Sequence, residues 1–252
     1  MKLFASDIDN TLVPKEESFV KEDLKELEDI LKKRKDLKIA YISGRSLSMI
    51  LEVLADYYLP QTDFLSSDVG TAIYSLRRGE WKKDKDYEDY LLSESYNWLE
   101  MKKKLKGIAG LSLQEDRAQT DFKLSYYLKL DYNKKEALEE IEERLVDTPA
   151  KLIYSEDRVK NLGLVDIIPR LGGKGGVLEF LAKKLGAGKD EVIYAGDSGN
   201  DLEALSTGFK AVLVGNAPES LKKDLSGDPS RVYIAKKNFS QGIIEGLKHF
   251  SF

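Results

Sequence analysis

The feature that most constrains the fold is a regular alternation between strand-like and helix-like segments at the start of the chain. In order these segments read LFASDID, SFVKEDLKELEDILKKRK, LKIAYISG, SLSMILEVLADYY and DFLSSDVGTAIY. Both helical segments carry leucine and isoleucine at helical spacing, at Leu24, Leu27, Ile30 and Leu31 and at Leu47, Ile50, Leu51 and Leu54. Strands that alternate with helices predict a parallel sheet that is covered by helices on both faces.

The alternation is interrupted in the middle of the chain. Residues 77–163 read as one long helix KDYEDYLLSESYNWLEMKKKLK, strands LSLQE and FKLSYYLKL, helix KKEALEEIEERLV and strand KLIYSE. The alternation resumes at LVDIIP, which we assign to the core sheet, and continues to the last helix GIIEGLKHF. A length of 252 residues allows one large domain or a core with a second module. We predict an α/β fold, with a doubly wound parallel sheet from residues 1–76 and 164–252 and an inserted α+β cap at 77–163.

Composition excludes several classes of function. With 40 basic and 44 acidic residues the net charge is −4, which provides no broad basic field for nucleic acid. Cysteine is absent, so a metal ion must rest on oxygen ligands or on the single histidine. No apolar run approaches the length of a signal-peptide core or of a membrane span. We therefore expect a cytoplasmic protein with a small-molecule substrate, no nucleic-acid partner and no membrane partner.

Four clusters of polar residues follow predicted strands. In a doubly wound sheet, ligands bind beyond the carboxyl ends of the strands. The clusters are Asp7, Asp9 and Thr11; Ser43, Gly44 and Arg45; Lys174; and the run Asp197 to Asp201. Each alone has an ordinary structural explanation: a solvated strand end, a helix cap, a surface lysine, or acids at a helix N-terminus. Their order along one sheet edge favours a common site.

The chemistry that these residue types share is phosphoryl transfer. Asp7 would attack the phosphorus atom as a nucleophile, and Asp9, two residues later, would serve the leaving group as a proton donor. Ser43 and the amide of Gly44 stand at a helix start, where N–H groups point at an anion, and Lys174 adds positive charge.

A divalent cation completes this interpretation. Phosphate and carboxylate repel each other, so a Mg²⁺ ion on about six oxygens must offset the charge. Asp197 and Asp201 are the remaining acids at this edge of the predicted sheet.

These motifs resemble those of a known superfamily. DIDNT, ISGRS, the GKG lysine and GDSGND are similar to the four motifs of the haloacid dehalogenase-like phosphatases, and the insertion lies where one type carries a large α/β cap. The resemblance implies that Asp7 is the nucleophile and Asp9 the general acid/base. It further implies a phosphate site and a Mg²⁺ site. The phosphate site is formed by Ser43, Gly44, Lys174 and Asn200; the Mg²⁺ site by Asp7, the Asp9 carbonyl, Asp197 and, in support, Asp201.

A finer resemblance is carried by four further stretches. Asn10 stands where glycine is usual in the first motif, and SDVGTAIY, FKLSYYL and QGIIEGLKHF follow later. Together they resemble the sucrose-phosphate phosphatase group, which removes phosphate from sucrose 6-phosphate. A phosphatase core grips only the phosphate, so we expect polar groups of the inserted module to distinguish one sugar from another. The expected substrate-binding residues are Arg45 together with Gln114, Lys123 and Ser125 of the cap strands.

Three alternatives stay open. The substrate could be the phosphate of mannosylfructose, trehalose, glucosylglycerol or mannosylglycerate (mannosyl-3-phosphoglycerate). A phosphomutase of the same fold would share the aspartyl-phosphate and pass the phosphoryl group to a sugar hydroxyl instead of water. A non-catalytic protein or a receiver-like phospho-acceptor is the third, and Asp9 argues against it because an acceptor needs no proton donor two residues later.

Overall fold

A computed structural model describes residues 1–14, 21–130, 133–157 and 160–252. It divides the chain into two compact units, Met1–Asp84 with Lys174–Phe252, and Lys85–Gly173. The inserted unit therefore begins and ends later than the predicted boundaries of 77 and 163.

The strands of the described residues, in chain order, are β1 Lys2–Ser6, β2 Leu37–Ile42, β3 Phe64–Ser67, β4 Ala72–Arg77, β5 Glu80–Lys83, β6 Leu111–Leu113, β7 Leu124–Lys129, β8 Ala150–Asp157, β9 Leu162–Pro169, β10 Val192–Gly196, β11 Lys210–Leu213 and β12 Val232–Ile234. The helices are α1 Lys21–Lys32, α2 Leu47–Tyr57, α3 Lys85–Leu92, α4 Trp98–Lys104, α5 Lys134–Leu145, α6 Gly173–Leu185, α7 Leu202–Leu205, α8 Glu219–Asp224 and α9 Phe239–His249. The first three residues of the predicted first helix, 18–20, lie outside the described residues.

The first unit contains one sheet in the order β12-β11-β10-β1-β2-β3-β4-β5. Its strands from β12 to β3 are parallel, and β4 and β5 are antiparallel additions at the edge. DFLSSDVGTAIY, interpreted as one strand, is thus two strands joined at Asp68, Val69 and Gly70, which have φ of 53°, 61° and 82°. A turn with positive φ usually shows glycine in the sequence, but here Asp68 and Val69 adopt the left-handed region. The turn was therefore not visible from composition.

The core of the first unit follows the predicted periodicity. Leu24, Leu27 and Leu31 of α1 are buried, and α1 packs against α9. In α2, Ile50 is buried as expected, whereas Leu51 is exposed. The apolar residues of the central strands lie in the same core, so the strand ends that carry the polar clusters rest on a rigid base.

The second unit has a four-stranded antiparallel sheet in the order β6-β7-β9-β8. LVDIIP belongs to β9, which pairs with β7 and β8, so its assignment to the core sheet was wrong. A buried apolar strand has the same sequence pattern in either sheet, because burial, and not the identity of the neighbouring strand, determines its composition. The eight paired positions of β8 and β9 fix this hairpin within the inserted unit.

The predicted long helix of this unit is two helices, α3 and α4. Ser95 has a φ of 61° between them, and the Asn97 side chain accepts the amides of Leu99 and Glu100 to begin α4. An asparagine cap satisfies two of the amides that a helix start leaves without partners. The break therefore has a local cause that the apolar spacing alone does not show.

The two faces of the second sheet differ in chemistry. Leu124 and Tyr126 of β7 and Val165 and Ile167 of β9 are buried and share one face, and α4 and α5 pack against strands of this sheet. Side chains alternate along a strand, so Ser125, paired with Asp166, lies on the opposite face.

Candidate active site

Asp7 and Asp9 follow β1, which lies between β2 and β10 in the sheet. The Asp7 amide donates to the Ala195 carbonyl of β10, and the Asp7 side chain is buried. The next loop closes on the Ile8 carbonyl, which accepts three consecutive amides from residues 11–13. Asn10 in this loop has a φ of 55°, a conformation that asparagine tolerates better than most residues, which explains how it replaces glycine.

Lys174, the second residue of α6, contacts both Asp7 after β1 and the residues that follow β10. Its Nζ lies 3.1 Å from Oδ1 of Asp7 and 2.7 Å from Oδ1 of Asp201, and it donates to Oδ1 of Asn200 at 3.0 Å. The side chain is fully buried. Burial acts to lower the pKa of Lys174, but the carboxylates of Asp201 and Asp7 outweigh it and raise the pKa, so the ammonium stays charged.

The carboxylates of Asp7, Asp197 and Asp201 form a buried cluster. One oxygen from each lies within 4.8 Å of the others. Burial, followed by the charge of Asp201, raises the pKa of Asp197 to about 7, although Thr11 donates a hydrogen bond to its Oδ1 at 3.0 Å. Burial also raises the pKa of Asp7 and outweighs the effect of Lys174. Three buried acids beside one lysine leave the cluster short of positive charge.

Asp201 has a different environment from the other two acids. Its Oδ1 accepts from Lys174 and from the Tyr194 hydroxyl, and its Oδ2 accepts from the amides of Asp197 and Ser198 and the Ser198 hydroxyl. Burial opposes its ionisation, but Lys174 and these hydrogen bonds lower its pKa. Both oxygens of Asp201 are thus occupied by hydrogen bonds from neighbouring groups.

The loop of Ser43, Gly44 and Arg45 is held by the turn between β3 and β4. The amides of Asp68 and Val69 donate to the carbonyls of Arg45 and Ser43, and the Ser43 hydroxyl accepts the Arg45 amide at 3.2 Å. Ser43 is fully buried, and α2 begins four residues after it. The positive φ values at Asp68 and Val69 therefore lie at a turn that fixes the backbone of this loop.

Arg45 forms a bidentate ion pair with Asp9, in which two guanidinium nitrogens donate to the two carboxylate oxygens. Nε donates to Oδ2 at 2.8 Å and Nη2 to Oδ1 at 2.6 Å, with each side chain about a quarter exposed. The hydrogen bonds to Asp9 raise the pKa of Arg45. A bidentate pair fixes the plane of the carboxylate as well as its position. The predicted substrate-binding arginine is thus engaged with the predicted general acid/base.

The other three predicted substrate-binding residues lie in the second unit. Lys123 directly precedes β7 and is buried, as is Ser125, whose hydroxyl donates to Asp166. Gln114 stands opposite Ser125 and donates from Nε2 to the Tyr126 carbonyl at 2.9 Å. The structure brings Gln114, the residue after β6, together with Ser125 of β7, whose carbonyl accepts the Gln114 amide at 3.0 Å.

Sequence reasoning missed three residues of these clusters. Asp166 was assigned to the core sheet with the rest of LVDIIP, and its signal was a single acid in an apolar strand. Asn216 donates from Nδ2 to the Asn10 carbonyl at 2.7 Å and accepts the Phe239 amide, which ties the first motif to the start of α9. Tyr194 was visible only as a large polar aromatic residue three positions before Asp197 in a buried strand.

Comparison with known proteins agrees with this geometry. The family described as sucrose-6F-phosphate phosphohydrolase matches residues 1–251. This chain belongs to that family. It is therefore a haloacid dehalogenase-like phosphatase that acts on sugar phosphates, and the resemblance inferred from the motifs is confirmed.

Three similar proteins show how far the likeness extends. A putative HAD-like hydrolase from Nitrosococcus oceani is 33% identical over 98% of this chain and 71% of its own length. Mannosylfructose-phosphate phosphatase from Agrobacterium fabrum is 32% identical over 84% of this chain and 82% of its own. A sucrose-phosphatase from a Synechocystis species, crystallised with sucrose and phosphate, superimposes with a TM-score of 0.82 at 28% identity, covering 100% of this chain and 98% of that one.

Among the residues that the structure describes, no helix is both long and apolar enough to cross a membrane. The cytoplasmic location stays a prediction.

Proposed function

We propose that this phosphatase hydrolyses sucrose 6-phosphate through an aspartyl-phosphate on Asp7. The observation that carries the proposal is the position of Asp7, buried beside Lys174 and Asp197 while Asp9, two residues away, is held by Arg45. A buried carboxylate next to an ammonium group and a second, oriented carboxylate provide a nucleophile, an anion binder and an acid/base in one site.

In the proposed reaction Asp7 attacks the phosphorus atom, and the bond to the sugar oxygen breaks. Asp9 gives its proton to that oxygen as it leaves, and then takes a proton from the water that releases phosphate from Asp7. Lys174 and the Ser43–Gly44 loop hold the phosphoryl oxygens, with Asn200 in contact with Lys174. Arg45 donates to both Asp9 oxygens, so one of these hydrogen bonds must open for Asp9 to carry the transferred proton, while the other keeps the carboxyl group oriented.

The donor set at this site fits Mg²⁺. Asp7 and Asp197 offer carboxylate oxygens in a cluster where one ammonium group faces three carboxylates, and oxygen is the ligand that Mg²⁺ prefers. Asp7, the Asp9 carbonyl and Asp197 would hold the ion, with Asp201 in support. When bound, the ion would offset the repulsion between the phosphate and the Asp7 carboxylate.

The inserted unit, residues 85–173, is the proposed source of specificity for the sugar. A phosphate site alone cannot distinguish one sugar phosphate from another, so polar groups elsewhere must read the hydroxyls. Lys123, Ser125 and Gln114 are the proposed readers, and Asp166 joins them because it accepts the Ser125 hydrogen bond.

A second substrate is supported by a specific observation. The mannosylfructose-phosphate phosphatase of Agrobacterium fabrum matches 82% of its own length to this chain, whereas the probable sucrose-phosphatase 2 of Arabidopsis thaliana matches 51%. Mannosylfructose phosphate is therefore the second candidate.

Phosphate release over a panel of sugar phosphates tests the proposal. The panel includes sucrose 6-phosphate, mannosylfructose phosphate, trehalose phosphate and glucosylglycerol phosphate, with Asp7→Asn as the inactive control. We expect the highest kcat/KM for sucrose 6-phosphate. A higher value for another sugar phosphate would reassign the substrate, and equal activity of Asp7→Asn would remove the nucleophile from the account.

A further inference from the structure

Tyr194 is a fully buried tyrosine whose hydroxyl ends inside the charged cluster. It lies on β10, and its hydroxyl donates to Oδ1 of Asp201 at 2.6 Å. The same oxygen accepts from Nζ of Lys174 at 2.7 Å, and that Nζ lies 3.1 Å from Asp7. A continuous chain of short polar contacts thus runs from Tyr194 to the nucleophile.

The position of the Lys174 ammonium depends on which donors bond to each oxygen of Asp201. Oδ2 of Asp201 is engaged by two amides and a hydroxyl, so only Oδ1 faces Lys174. Burial and the neighbouring Asp201 raise the pKa of Tyr194, which keeps the phenol neutral and a donor. Without the phenol, Lys174 would be the sole donor to Oδ1 among the described residues, and a stronger pairing with Asp201 would draw the ammonium away from Asp7.

We propose that Tyr194 is a positioning residue for phosphoryl transfer. Its hydroxyl, acting through Asp201, sets where the Lys174 ammonium stands relative to Asp7 and the phosphoryl group. The inference rests on the proposed roles of Asp7 and Lys174.

The chain provides a matched control in Tyr41. This tyrosine is also fully buried in the core sheet, and its hydroxyl donates to the Pro60 carbonyl at 2.8 Å. Tyr194 is aligned with Ala5 of β1 and Tyr41 with Ser6, so the two side chains lie on opposite faces of the sheet. Replacing either with phenylalanine removes one buried hydroxyl and one hydrogen bond, but only Tyr194→Phe alters the contacts of Asp201.

The experiment compares Tyr194→Phe and Tyr41→Phe in the full chain with saturating Mg²⁺. Circular dichroism first checks that both variants are folded and gives their melting temperatures. The kcat and KM of each variant are then measured with p-nitrophenyl phosphate and with the best sugar phosphate of the panel. Both variants should melt a few degrees lower than wild type. For Tyr194→Phe we expect kcat to fall about tenfold with KM changed less than about threefold, as for one lost hydrogen bond to a charged group. Tyr41→Phe should keep kcat within about twofold of wild type.

The two substrates should lose the same factor in Tyr194→Phe, because Lys174 acts on the phosphoryl group and not on the leaving group. Tyr194→Met, which fills the volume without a hydroxyl, should repeat the loss and serves if the phenylalanine variant folds poorly. Equal kcat in the Tyr194 and Tyr41 variants, or a change confined to KM, would overturn the inference. The Asp7→Asn variant distinguishes failure of this inference from failure of the proposed function. If Asp7→Asn is inactive while Tyr194→Phe keeps its kcat, only the role of Tyr194 is rejected. If Asp7→Asn is fully active, the proposed site itself is rejected.

Discussion

Replacing Asp197 with asparagine should stabilise the metal-free protein while it abolishes activity. Asp197 is 7% exposed, and its pKa is raised from 3.8 to about 7. Each pKa unit corresponds to about 1.4 kcal/mol, so ionising this group in the fold costs up to about 4 kcal/mol. We expect about half of this, ~2 kcal/mol, because water and side chains relax around a buried charge. For a chain of this size that is a melting temperature higher by about 4–8 °C.

The pH dependence gives the sign of this effect. An acid whose pKa is higher in the fold than in the unfolded chain costs nothing while both states are protonated, well below the unfolded pKa of 3.8. The cost grows as pH rises from about 4 to about 7 and is complete above that. The advantage of Asp197→Asn should therefore be small near pH 4 and largest near pH 8.

Calorimetric melting in chelator at several pH values measures this, with Asp84→Asn as the control. Asp84 is equally buried, but it pairs with Lys184, so its replacement should lower the melting temperature. Added Mg²⁺ should raise the melting temperature of wild type and leave Asp197→Asn unchanged. If Asp197→Asn melts at or below the wild-type temperature in chelator at pH 8, the cluster is not short of positive charge and the reasoning fails.

Four further outcomes are expected from steady-state kinetics and melting curves. Asp7→Asn should abolish turnover and keep the fold, because an amide is not an anionic nucleophile; turnover near wild type would contradict this. Asp9→Asn should lose ~10²–10⁴-fold in kcat/KM on sugar phosphates and less in kcat/KM on an aryl phosphate, whose leaving group needs no proton; equal losses in kcat/KM would remove Asp9 as the acid. Chelator should abolish activity and Ca²⁺ should inhibit, because its looser coordination misplaces the nucleophile; full activity in chelator would refute the metal site. Lys123→Ala should raise KM for sucrose 6-phosphate strongly and change aryl phosphate hydrolysis little; equal losses on both substrates would place Lys123 in the chemistry or the fold.

Much of the fold could be predicted because its determinants are local. The alternation of strand and helix patterns and the polar residues after each strand are properties of short segments, and the topology of a parallel sheet then gathers those residues at one edge. Asp7, Lys174 and Asp197 were found in this way, and the structure brings them together.

The pairing of distant residues could not be predicted from one sequence. LVDIIP is equally suited to either sheet, so its partners decided the boundary of the second unit. Arg45 lies 36 positions from Asp9, and nothing in ISGRS indicates a carboxylate partner instead of a substrate. The contact of Tyr194 with Asp201 depends on the turn after β10, because that turn brings Asp201, seven positions later, back to the Tyr194 hydroxyl.

The covalent role of Asp7 is tested most directly by trapping the phosphorylated enzyme. Asp9→Asn is mixed rapidly with p-nitrophenyl phosphate, whose leaving group departs without a proton, and the reaction is quenched in acid. Because the variant lacks the base that activates water, we expect a burst of about one nitrophenolate per chain and a phosphate group that fragment masses locate on Asp7. A variant that turns over without a burst, or that carries its phosphate on another residue, would contradict the account.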